Sequence, residues 1–223
     1  MKMFVVFAIL ILGTGNLLAA DRQIPVNLQS MTIEDFENAA QNNQWQVKGS
    51  SSCDLAKSRV QSIDTVPKAL EILEKWGEPK EKSCLGIKSA FRSQGYNWVA
   101  AVPAKPISLK GRVKNIEMWV CGMNYRYTAE IWVKDFRNFE YKLVLGKLDF
   151  IGWKLMSVEL PQWIPQEEES LPKERPLVIT KIVFRADPDE RADRFYCYID
   201  HMKVITNTYI ERYDGDDITV KMW

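Results

Sequence analysis

Four short runs, residues 113–120, 128–136, 140–145 and 153–160, follow one another with little more than a turn between them. Each is rich in Val, Ile, Leu and aromatic residues. In the first run Ile116, Met118 and Val120 share a side with Lys114, while Asn115, Glu117, Trp119 and Cys121 take the other. A period of two over so few residues specifies strands, not helices. Runs that recur every ~10–15 residues leave no room for crossover helices, so the strands must be antiparallel. A sheet with one apolar face has to close against a second sheet. The four runs therefore read as a meander forming half of a core, and the fold class is all-β, an antiparallel sandwich.

The same pattern recurs at 31–36, 45–48, 57–63, 85–92, 96–102, 177–186 and 195–205. A Gly-Ser-rich turn, 49–52, lies between the second and third of these. Ser93-Gln94-Gly95 reads as a tight hairpin turn joining 85–92 to 96–102. Leu70, Leu73 and Trp76 recur at helical spacing, and Gly77 is placed to end a short helix within 67–76. Leu70-Glu71-Ile72 equally fits the start of a strand. Residues 161–176 break the rhythm with four prolines, Trp163 and the acidic run Glu167, Glu168, Glu169. Loops of that length tend to carry function. A charged loop, 187–193, contains Asp187 and Asp189. No repeat or linker is visible, so residues 21–206 are expected to form one sandwich domain. Residues 207–223, acidic and aromatic, form an arm that includes Tyr209, Tyr213 and Trp223.

Residues 1–20 read as an export signal, with Lys2, the apolar run 3–12, and small residues before Asp21. The apolar run falls short of the ~20 residues that span a bilayer, so no membrane anchor is expected in the mature form. Removing the segment takes away Lys2 alone. The 30 Lys plus Arg then become 29, matching 29 Asp plus Glu. A neutral chain without a basic run argues against nucleic acid as a partner and favours self-association. Cys53, Cys84, Cys121 and Cys197 are too scattered for a zinc site. An exported chain permits disulfides. Cys53–Cys84 belongs to one of three complete pairings, and the spacing does not choose among them. Cys121 and Cys197 also fit as free, buried thiols within strands.

Catalytic chemistry finds little support. The single histidine, His201, sits in Tyr198-Ile199-Asp200-His201-Met202 without a nucleophile elbow elsewhere, and reads as structural. Gly111, Gly146 and Gly152 stand alone, outside any phosphate-cradling motif. Acidic pairs in loops read as solvated groups, not as the converging carboxylates of a glycosidase. A structural calcium ion held by Asp35 or Glu37 with Asp200 is a further reading, if the first and last strands pair. Otherwise no cofactor is expected. Trp45, Trp98, Trp119 and Trp132 lie within strand patterns and are expected in the core, with Trp163 and Trp223 at a surface.

A set of motifs spread from Leu85 to Gly215 resembles the spirochaete periplasmic flagellar filament outer-layer (sheath) proteins. They are Leu85-Gly86-Ile87-Lys88 with Gly95-Tyr96-Asn97; Trp119-Val120-Cys121-Gly122; Leu145 through Phe150 into Gly152-Trp153-Lys154; Ile164-Pro165-Gln166; Arg185-Ala186-Asp187-Pro188; Tyr198 through Lys203; and Tyr213-Asp214-Gly215. The resemblance implies a non-enzymatic subunit, exported to the periplasm, that coats a flagellin core together with other sheath subunits and contributes to motility. Candidate contact residues are Trp163, Glu167, Glu168, Glu169, Asp187, Asp189, Tyr209, Tyr213 and Trp223, chosen from loop length and expected exposure. The competing reading, on the same jelly-roll scaffold, is a periplasmic or secreted carbohydrate-binding module; fold alone does not separate the two.

Overall fold

The computed structural model describes residues 27–37, 44–75, 80–168 and 171–208. The expected signal segment and residues 209–223 of the arm lie outside them. In chain order the elements are β1 (Leu28–Glu34), β2 (Trp45–Gly49), β3 (Arg59–Ile63), α1 (Leu70–Glu74), β4 (Cys84–Ser89) and β5 (Trp98–Pro103). Then come β6 (Ile107–Ser108), β7 (Arg112–Met123), β8 (Tyr127–Lys134), β9 (Glu140–Lys147) and β10 (Ile151–Glu159). The last are β11 (Glu167–Glu168), β12 (Leu171–Glu174), β13 (Val178–Ala186) and β14 (Phe195–Asn207).

Two six-stranded sheets carry the fold. One has the order β10-β7-β14-β4-β3, with β1 also pairing β14; the other is β2-β5-β13-β8-β9, with β6 also pairing β13. Every pairing is antiparallel. The period-two reading of β7 holds residue by residue: Ile116, Met118 and Val120 are fully buried. They face Ala129, Ile131 and Val133 of β8 and Ile179, Ile182 and Phe184 of β13 across one continuous core. Phe195 joins the layers, stacked on Tyr127 at 4.0 Å between ring centres and packed on Phe184 at 5.7 Å.

The wiring differs from the sequence reading in two places. The four central runs are not one meander: β7 and β10 pair in the first sheet, β8 and β9 in the second. Alternation reveals which face of a strand is buried, not which sheet it joins. The switches lie in short connections, where Asn124 takes a positive φ of 57° and its N–H bonds Phe150 O. Ser93-Gln94-Gly95 is not a hairpin turn either, because β4 and β5 lie in different sheets. The buried Asn97 amide holds Ser93 O at 2.7 Å, and the Phe91 and Arg92 N–H groups bond Ala192 O and Ser52 O instead of a neighbouring strand. β2 and β3, on either side of the Gly-Ser turn, belong to different sheets. Within 67–75 the expected helix is the five residues of α1, with Leu70 buried; Trp76 and Gly77 lie outside the described residues. Within 161–176 the short pair β11–β12 forms where the sequence reads as loop.

None of the three disulfide pairings is made; all four cysteines are buried thiols. Cys84 and Cys121 flank β14 on opposite sides, about 10 Å apart by strand spacing and so beyond disulfide reach. Burial, with Asp200 nearby, pushes the Cys84 thiol up to about 12, and burial raises Cys121 and Cys197 as well. The native protein will therefore be inert to Ellman's reagent, and denaturant will release all four thiols. Rapid labelling of Cys84 without denaturant would contradict this arrangement.

Candidate interaction surfaces

Because neighbouring strands run antiparallel along one axis, the connections gather at two ends of the sandwich. One end holds the turn 135–139, the segment 161–176 and the point where the chain leaves β14. There the Thr208 N–H bonds Asn27 O at 3.1 Å. The other end holds 50–58, 90–97, 124–126 and 187–194. β13 spans the gap, and its nine residues cover ~30 Å.

At the first end Trp163 is 70% exposed and meets Tyr141 edge-on at 5.4 Å. The buried Asp135 shapes the turn beneath them: its carboxylate accepts from the Arg137 N–H at 2.8 Å, the Phe139 N–H at 2.9 Å and the Tyr141 hydroxyl at 2.7 Å. This leaves Phe139 63% exposed, while Arg137 and Arg175 lie over the Phe136 ring at 5.2 and 5.8 Å. Gln166 ties the segment to β7 through two bonds with the Val113 backbone, at 2.7 and 2.9 Å. Glu167 pairs with Arg112 at 3.1 Å, so it fastens the segment to the sandwich besides facing solvent. Glu168 lies in β11, and Glu169 is outside the described residues.

At the opposite end the loop of Asp187 and Asp189 is fixed to the β7–β8 connection. The Arg126 guanidinium donates to Asp189 O at 2.7 Å, and the Arg126 N–H donates to Glu190 Oε2. Tyr96 and Ile151, each 81% exposed, stand at this same end. The sequence-derived candidates thus fall on two remote ends, with Trp163 and Glu167 on one and Asp187 and Asp189 on the other. Tyr209, Tyr213 and Trp223 lie outside the described residues. Sequence reading missed Phe139 and Tyr141, although Asp135 and Asn138 around Phe136-Arg137 signalled a projecting turn.

The tryptophans divide differently from expectation. Trp45 is buried at 3% exposure, but Trp98, Trp119 and Trp132 are only half buried. Lys181 covers the Trp132 ring at 4.1 Å.

β1 does pair with β14, and this gathers acidic groups at a bulge where the register slips between Asp200 and Lys203. His201 sits within β14 with a positive φ of 45°, and its Nδ1 meets Glu81 Oε1 at 2.5 Å. Asp200 is fully buried; its Oδ1 accepts the His201 N–H at 2.8 Å, and its Oδ2 has no hydrogen-bond partner among the described residues. Burial, with Glu81, Glu37 and Asp35 close by, pushes the Asp200 carboxyl up to about 8. The donor set does not fit calcium as it stands. Glu37 turns its carboxylate to the Lys82 and Ser83 N–H groups and Glu81 turns to His201. No three His, Cys, Asp or Glu side chains among the described residues converge on one point.

Residues 19–214 match the family model described as flagellar filament outer layer protein. A flagellar filament outer layer-like protein of Brachyspira hyodysenteriae is 29% identical over 147 residues, 66% of this chain and 68% of that protein. Among solved structures, a carbohydrate-binding module of the β-sandwich superfamily aligns with a TM-score of 0.50 at 10% identity, over 78% of this chain and 60% of its own. The family 11 carbohydrate-binding module of a Clostridium thermocellum cellulase aligns over 83% of this chain and 98% of its own, with a TM-score of 0.48 and 12% identity. At such identities the likeness concerns the fold alone.

Proposed function

We propose that this chain, which belongs to the flagellar filament outer layer protein family, is a non-enzymatic sheath subunit that coats the flagellin core in the periplasm and contributes to motility. The observation that carries the reading is the family match over residues 19–214. The two-ended placement of exposed residues supports it. A filament is built by heterologous contacts, in which one surface of a subunit meets a different surface of the next. Trp163 and Phe139 at one end, and Tyr96, Ile151 and the Asp187–Asp189 loop at the other, supply two unlike surfaces of that kind. Modest contacts suffice, because the lattice multiplies them. In this reading residues 1–20 direct export, residues 21–206 form the sandwich, and the arm 207–223, with Tyr209, Tyr213 and Trp223, reaches a neighbouring subunit. β14 runs through Asn207, so the arm departs from the end that carries Trp163.

Cofractionation with purified periplasmic filaments tests the proposal. The wild-type chain is expected in the filament pellet, and Trp163→Ala is expected to fall into the soluble fraction by about tenfold or more, since exposed aromatic anchors dominate such contacts. A wild-type chain absent from the pellet would overturn the reading; an unaffected Trp163→Ala would remove that end from the contact. No resident cofactor is proposed. Adding calcium or a chelator is expected to leave the melting temperature unchanged, and a calcium-dependent rise lost in Asp200→Asn would contradict this.

A further inference from the structure

On the outer face of the first sheet, strands β3, β4 and β14 floor a groove of about 620 Å³. Register places Tyr198 beside Gly86, and Gly86 beside Gln61, in one row across the three strands; Tyr196, Lys88 and Arg59 form the next row. The missing side chain at Gly86 matters here. A Cβ there would stand 3.3 Å from Tyr198 Cδ1 and 2.7 Å from Ile63 Cγ1, so the glycine lets the tyrosine ring lie down on the sheet. Tyr196 is wedged between two other rings, edge-on to Tyr125 at 5.6 Å and to Tyr198 at 6.4 Å. Both tyrosines are half exposed and held in place before any ligand arrives.

Around this platform the charge is one-sided. Arg59, Lys88 and Arg194 line the groove, and their side chains form no ion pair or hydrogen bond with another described residue. The acid at its margin, Asp193, is already taken by Arg191 at 2.7 and 3.0 Å. We propose that this groove binds an acidic saccharide, its ring face stacked on Tyr198 and Tyr196 and its carboxylate or sulfate held by Arg59, Lys88 and Arg194. A sugar presents an apolar ring face and a rim of hydroxyls. The groove answers with aromatic faces and with fork-shaped and amide side chains, Arg59 and Gln61, that reach a rim. An acidic peptide fits less well. The groove lies on the face of the sheet, where backbone groups are spent on neighbouring strands, so no strand can be added there. The ligand class stands on the groove alone, whereas its use as a contact within a coat rests on the function proposed above.

The full-length chain, applied to an array of neutral, carboxylated and sulfated oligosaccharides together with poly-glutamate, tests the assignment. Retention is expected on acidic saccharides and is expected to weaken as salt rises. Tyr198→Ala and Arg59→Ala should each lower it by about tenfold or more, while Tyr198→Phe, which keeps the ring, should restore it. Equal retention of wild type and Tyr198→Ala, no retention of wild type on any saccharide, or stronger retention on poly-glutamate would each overturn the proposal. A chain that pellets with filaments yet binds no saccharide sinks the groove and leaves the sheath reading standing; the converse result sinks the sheath reading alone.

Discussion

Phe195→Ala will cost the fold about 3–5 kcal/mol, among the largest losses expected from a single side chain in this protein. Phe195 has no exposed surface and belongs to β14 of the first sheet, yet it stacks on Tyr127 of β8 and packs on Phe184 of β13, both in the second. Tyr125 closes the cluster edge-on at 5.4 Å. Truncation removes the ring and leaves a cavity between rigid layers that cannot collapse to fill it. Tyr196, the next residue and on the opposite face of the strand, is the control; its loss to alanine should cost much less. Urea denaturation will read the difference as a lower midpoint at unchanged slope. A Phe195→Ala midpoint indistinguishable from that of Tyr196→Ala would show that the two sheets are not joined as described.

Stability will also fall as pH rises toward the alkaline side, and Asp200→Asn will remove much of that fall. Burial beside Glu81, Glu37 and Asp35 raises the folded carboxyl of Asp200 from the ordinary 3.8 to about 8. The unfolded chain gives up its proton near the ordinary value, while the folded chain keeps it until about pH 8. Stabilisation from this group is thus fully present below the unfolded value and is lost progressively as pH climbs through the folded one. The effect is on the order of a few kcal/mol across that window. Asparagine preserves the oxygen that accepts the His201 N–H and carries no charge to bury. The variant should match wild type only below about pH 4, gain on it steadily as pH climbs, and keep a constant advantage above about pH 8. Parallel melting-temperature profiles for the two proteins from pH 5 to 9 would refute the assignment.

Much of the architecture was legible because burial imposes a period of two: Ile116, Met118 and Val120 announce a buried face without any knowledge of what covers it. The partner of each strand was not legible. Whether the chain turns back or crosses to the other layer is decided at corners such as Asn124, whose N–H bonds Phe150 O, and Asn97, whose carbonyl accepts the Ala186 N–H. The candidate contact surfaces were half visible. Trp163 stands out as a tryptophan among prolines, and it is exposed as expected. Tyr141 and Phe139 look like ordinary strand residues until the buried Asp135 turns the chain beneath them. Asp200 was singled out for a calcium ion. Its actual neighbour Glu81 lies 120 residues before His201, and no local pattern links them. The groove of Tyr196 and Tyr198 was invisible for a related reason, since its floor combines three strands whose adjacency only the fold supplies.

Electron cryomicroscopy of intact periplasmic filaments will show whether this chain is a two-ended coat subunit. The sandwich is expected on the filament surface, with the end bearing Trp163 and Phe139 abutting a neighbouring subunit and the end bearing residues 187–193 making a different contact. Filaments whose outer layer contains no density for this fold, or copies touching only through the sides of their sheets with both ends in solvent, would contradict it.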